Sequence, residues 1–322
     1  MQGLGCESPL KPKVVIALDV GGTFIKSGLV VDGDLLQASC KQHPSFADQD
    51  ADVIIDQFIS IFEDQYQFYF VTLGKSSDCT WRIGLAFPGP FDYQQGICYI
   101  QGLSKYEALY GENIREVLYT RFNTLQHKEW AKHLLQADIR FENDAKLFAL
   151  GVSRLFPNER YISLTLGTGL GSAFIDRVLI LNEGPGVPKD GWLFDKPFLE
   201  STIDNAFSRR GILRLAEQMG ALEKGMDVKE LAEQARNGNS LCCKVFEEFG
   251  TRLARMLKSY VIDYQPNRIV IGGQIAKSID LFSPALQKGL ADSSIGIFTS
   301  ENVFEHTLIG ISRLFDDSLG FN

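Results

Sequence analysis

The sequence predicts an α/β protein of two lobes, built from mixed sheets flanked by helices around an interlobe cleft. Three features carry this expectation. At 322 residues the chain passes the ~250–300 residues at which a single core stops growing. A strand, glycine turn, strand unit occurs at Gly22 and again at Gly167, about 145 residues on, as two similar halves would give. Short apolar runs also alternate with segments of helical apolar spacing, such as Phe249, Leu253, Leu257 and Val261 before Pro266.

Val14-Val-Ile-Ala-Leu18 is the first run, rich in β-branched residues and suited to a strand covered on both faces. Phe24–Val31 and Asp34–Ala38 follow, and the Asp32-Gly33 between them favours a two-residue hairpin, so the segment reads as a three-stranded meander. Asp19 closes the first strand and Gly21-Gly22-Thr23 turn the chain into the second. Glycines there let a ligand approach backbone N–H groups, which suits an anion. A carboxylate beside a phosphate needs a divalent cation between them, and Mg²⁺ keeps its waters while using one or two carboxylates. Asp19 is thus a candidate ligand to Mg²⁺ through water; the plainer alternative is an aspartate that caps the turn.

Tyr161–Leu166 is another strand, broken by Gly167-Thr168-Gly169-Leu170-Gly171 and resumed at Ser172–Ile175. Its GxGxG spacing runs into a strand, unlike the GxGxxG that opens a helix in dinucleotide folds, and no GxxxxGK[ST] loop is present. Arg268-Ile-Val-Ile-Gly-Gly-Gln-Ile-Ala276 reads as a strand ending in Gly272-Gly273 and entering a helix, whose N-terminus would suit a nucleotide. Each turn alone is equally open to a structural reading. Together they match a pair of phosphate loops, the design of the sugar-kinase, actin and chaperone-ATPase superfamily.

The ordered motifs LDVGGTFIK, IGLAFPGPFD, FENDA, LGTGLGSAF and RIVIGGQIA span Leu18 to Ala276, and in this order the chain resembles the ROK family of sugar kinases and related repressors. The resemblance implies the actin-like ATPase, ribonuclease H-like fold and phosphorylation of a hexose or hexose derivative by Mg²⁺-ATP, glucokinase-like or N-acyl amino sugar kinase-like. It implies Gly21, Gly22, Thr23 and Lys26 in the first phosphate loop, Gly167, Thr168 and Gly169 in the second, and Gly272 and Gly273 beside the adenosine. The lobes would be 1–120 plus 308–322, and 121–307, with Leu308–Phe315 as a closing helix that returns to the first.

Phosphoryl transfer to a hydroxyl needs in-line positioning, charge neutralisation and a proton acceptor. In Asp138-Ile-Arg-Phe-Glu-Asn-Asp-Ala145, Asn143 and Asp144 fall between a strand end and a segment of helical spacing, where either is a favoured cap. The resemblance assigns more: ENDA matches the family's ENDAN, making Asp144 the general base and Asn143 a sugar ligand. Arg82–Phe87 reads as a strand feeding Pro88-Gly89-Pro90, which resembles the family's sugar-side loop, with a plain turn as the alternative. Gln101 stands where the family carries a sugar-contacting Asn.

The pattern breaks after the second glycine turn. Where many members have a Gly-Glu…Gly-His element and a cysteine-rich zinc motif, this chain has Asn182-Glu-Gly-Pro-Gly-Val-Pro-Lys-Asp-Gly-Trp-Leu-Phe-Asp195. Asp190 or Glu183 takes the place of the Glu, Trp192 is a stacking candidate, and without local His or Cys zinc is not expected.

Net charge −8 argues against nucleic acid, and a sugar-responsive repressor would need a DNA-binding module ahead of Val14, where the sequence has 13 residues. A superfamily ATPase that drives a partner without phosphorylating sugar is the remaining alternative. No apolar run reaches the ~18 residues of a membrane span and the first residues lack a signal-peptide core, so the expectation is a cytoplasmic protein whose partner is a small sugar, with a homodimer implied only by family. The six cysteines show no CxxC pairing and read as reduced thiols.

Overall fold

The structure, a computed structural model, describes residues 11–72, 74, 79–290, 294–316 and 319; the opening residues and Cys6 lie outside them. The chain divides into two compact units, residues 1–147 with 307–322, and residues 148–306.

In the first unit, β1 (Lys13–Val20), β2 (Phe24–Val31) and β3 (Asp34–Pro44) form the antiparallel meander. Asp32 and Gly33 both have positive φ, 50° and 88°, and Val31 pairs with Asp34, which is the two-residue hairpin that Asp-Gly favours. β3 runs six residues past Ala38. A register shift between Ser27 and Leu29 keeps it paired, and its largely solvated side chains gave no apolar alternation to read. β4 (Thr80–Ala86) joins β1 in parallel, β5 (Phe91–Asp92) and β6 (Ile97–Cys98) make a small hairpin, and β7 (Asp138–Glu142) joins β4 in parallel. The sheet order is β3-β2-β1-β4-β7. Residues 121–147 therefore belong with the first unit and not, as expected, with the second: β7 is hydrogen-bonded into the first sheet.

One face of this sheet is covered by α1 (Ala51–Gln67), α2 (Ile114–Thr124) and α3 (Glu129–Leu134), whose Phe58, Phe62, Phe122 and Trp130 pack with Val14, Ile16, Leu18 and Ile83. The other face meets the closing helix. Gly28 and Gly84 leave room there for Leu308 and Ile311; a Cβ at Gly84 would stand 2.2 Å from the Ile311 side chain. Arg82 and Arg140 then donate to the carbonyls of Phe315 and Leu314, at 2.5 and 2.7 Å, and so tie the chain that follows that helix to β4 and β7.

The second unit repeats the plan. β8 (Arg160–Leu166), β9 (Leu170–Asp176) and β10 (Leu179–Leu181) form a meander, the hairpin β11 (Pro197–Phe198) and β12 (Ser201–Thr202) follows, and β13 (Arg268–Gly272) and β14 (Gly296–Thr299) add in parallel. Its order, β10-β9-β8-β13-β14, matches the first sheet position for position. α4 (Asp144–Val152) links the units, and α5 (Ile203–Phe207), α6 (Arg209–Gln218), α7 (Val228–Arg236), α8 (Ser240–Tyr264), α9 (Ile279–Gly289) and α10 (Val303–Arg313) complete the chain. Phe249, Leu253, Leu257 and Val261 of α8 are all buried, as their spacing predicts, in a core with Phe207, Leu215, Leu231 and Phe282. Helix α10 starts five residues before the expected Leu308.

Among the described residues no helix is long and apolar enough to cross a membrane, and Cys40, Cys79, Cys98, Cys242 and Cys243 form no disulfide. Gly151 of α4 lies so close to α10 that a Cβ would stand 1.8 Å from the His306 carbonyl oxygen. Gly151→Ala must push these helices apart, and we expect it to lower the unfolding free energy by about 2–3 kcal/mol in denaturant titration.

Candidate functional site

In the first sheet, Lys26, Asp19, Ala86 and Glu142 stand in one cross-strand row over β2, β1, β4 and β7. That row marks the carboxyl ends of the three parallel strands, the edge at which α/β sheets bind ligands. Three motifs leave the sheet there: the Gly21–Thr23 turn, the Pro88–Pro90 loop with its cis Gly89–Pro90 peptide, and Asn143-Asp144.

The polar groups of the turn divide into bonded carbonyls and open N–H groups. Its carbonyls are occupied from behind: Tyr106 Oη donates to Gly21 O at 2.7 Å, Ser45 Oγ to Gly22 O at 2.7 Å, and Ser45 N to Thr23 O at 3.1 Å. The N–H groups of Gly22 and Thr23 have no partner among the described residues, so the turn presents donors outward. Gly21 donates to Phe24 O at 3.0 Å, and a Cβ on Gly21 would lie 2.7 Å from that oxygen, which requires glycine. Lys26, opposite Asp19 in the register, adds positive charge.

Asp19 sits largely enclosed at the end of β1, and burial, reinforced by the negative charge of Asp144, pushes its carboxyl up to about 6 against the pull of Lys26. Asp144 begins α4; it is reached by solvent, yet the protein around it also raises its carboxyl, while hydrogen bonds from its own and the Ala145 backbone, the charge of Lys105 and Asn143 hold it down. Exposure screens this effect at Asp144 more than at Asp19. The two carboxylates repel one another beside a donor-rich turn, a concentration of negative charge that a cation would relieve.

Because the Asp19 carboxyl titrates higher in the fold than its ordinary 3.8, the folded state binds the extra proton between these values, and stability is lost as pH rises through that window. Asp19→Asn, in chelator, is expected to be more stable than the parent by about 2 kcal/mol at neutral pH. In thermal or denaturant unfolding the gain should vanish as pH falls towards 3.8.

Asn143 serves the helix first, since its Oδ1 accepts from the backbone N–H of Ala145 at 3.0 Å and of Lys146 at 3.4 Å. It also shares a side-chain hydrogen bond with Tyr93, whose buried hydroxyl is held protonated and donates to Phe87 O at 3.1 Å. A Cβ on Gly89 would touch that same hydroxyl at 3.4 Å, so Tyr93 joins the Pro88-Gly89 loop to Asn143. Gln101 is exposed on the segment that leads to Lys105 and Tyr106.

In the second unit the Gly167–Gly169 turn has the same wiring. Gly167 O accepts from Arg209 N at 2.8 Å and Gly169 O from Gly167 N at 2.9 Å, while the N–H groups of Thr168 and Gly169 have no partner among the described residues. Asp204 fastens the turn, its Oδ1 accepting from Leu170 N at 2.8 Å and lying 3.0 Å from a Cβ at Gly169. Asp204 N also donates to Phe194 O at 3.0 Å, which connects the turn to the 182–195 segment.

On that segment Asp190 N donates to Asn182 O at 2.7 Å, so Asp190 lies beside the residue preceding Glu183, and the rings of Trp192 and Phe194 meet at a tilt of 50° with centres 5.7 Å apart. Gly273, at φ 94°, is packed against the end of β8; a Cβ would stand 2.2 Å from Leu166 O. The third turn thus adjoins the second. A single 3-10 turn, Ile275–Ser278, follows it before α9, so the helix N-terminus expected directly after Gly272-Gly273 is replaced by a tighter bend.

Each unit thus carries a five-stranded mixed sheet with a donor-lined glycine turn at its carboxyl edge, the fold of the actin-like ATPases. The ROK family model matches residues 200–307, and the resemblance drawn from the motifs is borne out. The chain is 24% identical over 274 residues, 82% of each chain, to a beta-glucoside kinase of Klebsiella pneumoniae. It is 22% identical to the glucokinase of Thermotoga maritima, covering 96% of this chain and 99% of that one. Among solved structures it resembles a ROK family glucokinase from Streptomyces griseus in complex with glucose and AMPPNP, with TM-score 0.64, 18% identity and 94% and 98% of the two chains covered. A ROK family transcriptional regulator has the same fold, with TM-score 0.71, 14% identity and 93% and 78% coverage. The chain is thus similar, over most of its length, to ROK family sugar kinases.

Proposed function

We propose that the protein is an ATP-dependent kinase of a hexose or hexose derivative, with Asp144 as the general base. The observation that carries this is the shared edge of the first sheet, where a donor-lined turn, Asp19 and Asp144 stand together. By the family resemblance, Gly21, Gly22, Thr23 and Lys26, and likewise Gly167, Thr168 and Gly169, are loops for donor phosphates, and Gly272 and Gly273 adjoin the adenosine. Pro88, Gly89, Gln101 and Asn143 receive the sugar, with Glu183 or Asp190 accepting its hydroxyl protons in hydrogen bonds. Mg²⁺, bound through water at Asp19, would neutralise phosphate charge. Asp144 accepts the proton of the acceptor hydroxyl as its oxygen attacks the terminal phosphorus.

The similarity to kinases of glucose and of a beta-glucoside supports a sugar acceptor, and the AMPPNP complex of the Streptomyces griseus protein supports an ATP donor. The likeness to a ROK regulator favours one other reading, a sugar-binding protein that does not phosphorylate. ATP consumption measured across hexoses, amino sugars, acyl amino sugars and beta-glucosides separates them. The kinase reading expects turnover that depends on one class of sugar. Sugar binding without turnover supports the regulator-like reading, and sugar-independent hydrolysis an ATPase.

A further inference from the structure

Between Gln101 and Tyr106 the chain makes a tight excursion with Ser104 and Tyr106 both left-handed, at φ 54° and 56°. Such strain persists only where surrounding contacts hold it. Here Ser104 N donates to Glu107 Oε1 at 2.7 Å, Tyr106 N to Ala47 O at 2.5 Å and Tyr106 Oη to the carbonyl of Gly21 at 2.7 Å. The result is to lay Lys105 along the glycine turn: a Cβ on Gly22 would stand 3.2 Å from Lys105 Cδ and 3.9 Å from its Cβ. The ammonium makes no hydrogen bond or ion pair among the described residues, and its charge acts on Asp144. Lys105 therefore lies along the donor-lined turn, close enough to the proposed base for its charge to act there.

We propose that Lys105 is a further catalytic residue, whose ammonium hydrogen-bonds the phosphoryl group during transfer. This rests on the kinase reading. In the transfer, the acceptor oxygen forms a bond to the terminal phosphorus of ATP, and the bond from that phosphorus to the bridging oxygen breaks. The electron pair leaves on the β-phosphate of ADP, and the hydroxyl proton passes to the Asp144 carboxylate. The phosphoryl group must then travel between Gly22 and Asp144, past two carboxylates that repel it. Lys26 offsets the charge of Asp19, and Lys105 that of Asp144. A charged donor set where negative charge spreads in the transition state acts mainly on kcat.

The test is steady-state kinetics of the parent, Lys105→Met and Lys105→Arg with the sugar that the panel identifies. Met keeps the apolar stem against Gly22, so the melting temperature should hold. We expect Lys105→Met to lose about 100-fold in kcat while KM for sugar and for ATP stays within about threefold, and Lys105→Arg to recover part of the loss. A Met variant with kcat within about twofold of the parent overturns the role of Lys105 and leaves the kinase reading intact. A raised sugar KM at unchanged kcat also overturns it, since Lys105 would then bind substrate without aiding transfer. Absence of sugar-dependent transfer in the parent overturns both.

Discussion

Asp144→Asn is expected to lower kcat about 10²- to 10⁴-fold, with ATP and sugar affinities close to those of the parent. Asparagine matches aspartate in shape, and the start of α4 is secured by Asn143, which caps Ala145 and Lys146, so the helix should keep its place. What is lost is a proton acceptor. The pH profile adds a second readout, because the base acts only when ionised and the protein packed around it raises the Asp144 carboxyl. Activity should fall on acidification at a pH above the ordinary carboxylate range, and kcat/KM measured against pH in the parent should show that limb. Removing Asp144 ought to take the limb away together with the rate. A variant that phosphorylates as fast as the parent would mean that another group accepts the proton.

The next largest effect is expected at the two glycine turns. Gly21→Ala places a Cβ 2.7 Å from the Phe24 carbonyl oxygen, and Gly169→Ala places one 3.0 Å from Asp204 Oδ1. Each must open its turn and misdirect N–H groups that have no other partner among the described residues. Loss of charge-assisted hydrogen bonds worth about 1.5–3 kcal/mol should raise the dissociation constant for ATP about 10- to 100-fold in each variant. If both turns serve one triphosphate, the double variant should lose less than the product of the single effects, since a group already displaced cannot be displaced again. Calorimetric titration with a non-hydrolysable ATP analogue reads this directly. A single variant that leaves the dissociation constant for ATP unchanged would indicate that its turn does not hold the triphosphate.

The features legible in the sequence were those set by local chemistry. Asp32-Gly33 specified a hairpin, Val14–Leu18 a buried strand, and the spacing of Phe249, Leu253, Leu257 and Val261 a buried helix face. The glycine turns were legible because close approach restricts residue type locally. The residues that support those turns were not. Tyr106 reaches Gly21 across 85 positions, Ser45 reaches Gly22 across 23, and Asp204 reaches Leu170 across 34. A tyrosine, a serine and an aspartate outside any motif carry no mark of such partners, and the same holds for Tyr93 beside Asn143. Lys105 was hidden for a further reason: its placement depends on two left-handed residues, neither of them glycine. The unit boundary escaped because β7 is five residues long and its place beside β4 is a matter of tertiary pairing. At Asn143, capping and ligand binding were competing explanations, and the structure shows the cap occupying only the oxygen of the amide.

The most direct measurement is phosphorus NMR of the parent protein incubated with Mg²⁺-ATP and the sugar that stimulates its turnover. The account predicts ADP and a sugar phosphate ester formed in equal amounts, and neither product in quantity from Asp144→Asn. ADP accompanied by inorganic phosphate alone, at a rate indifferent to the sugar, would contradict it.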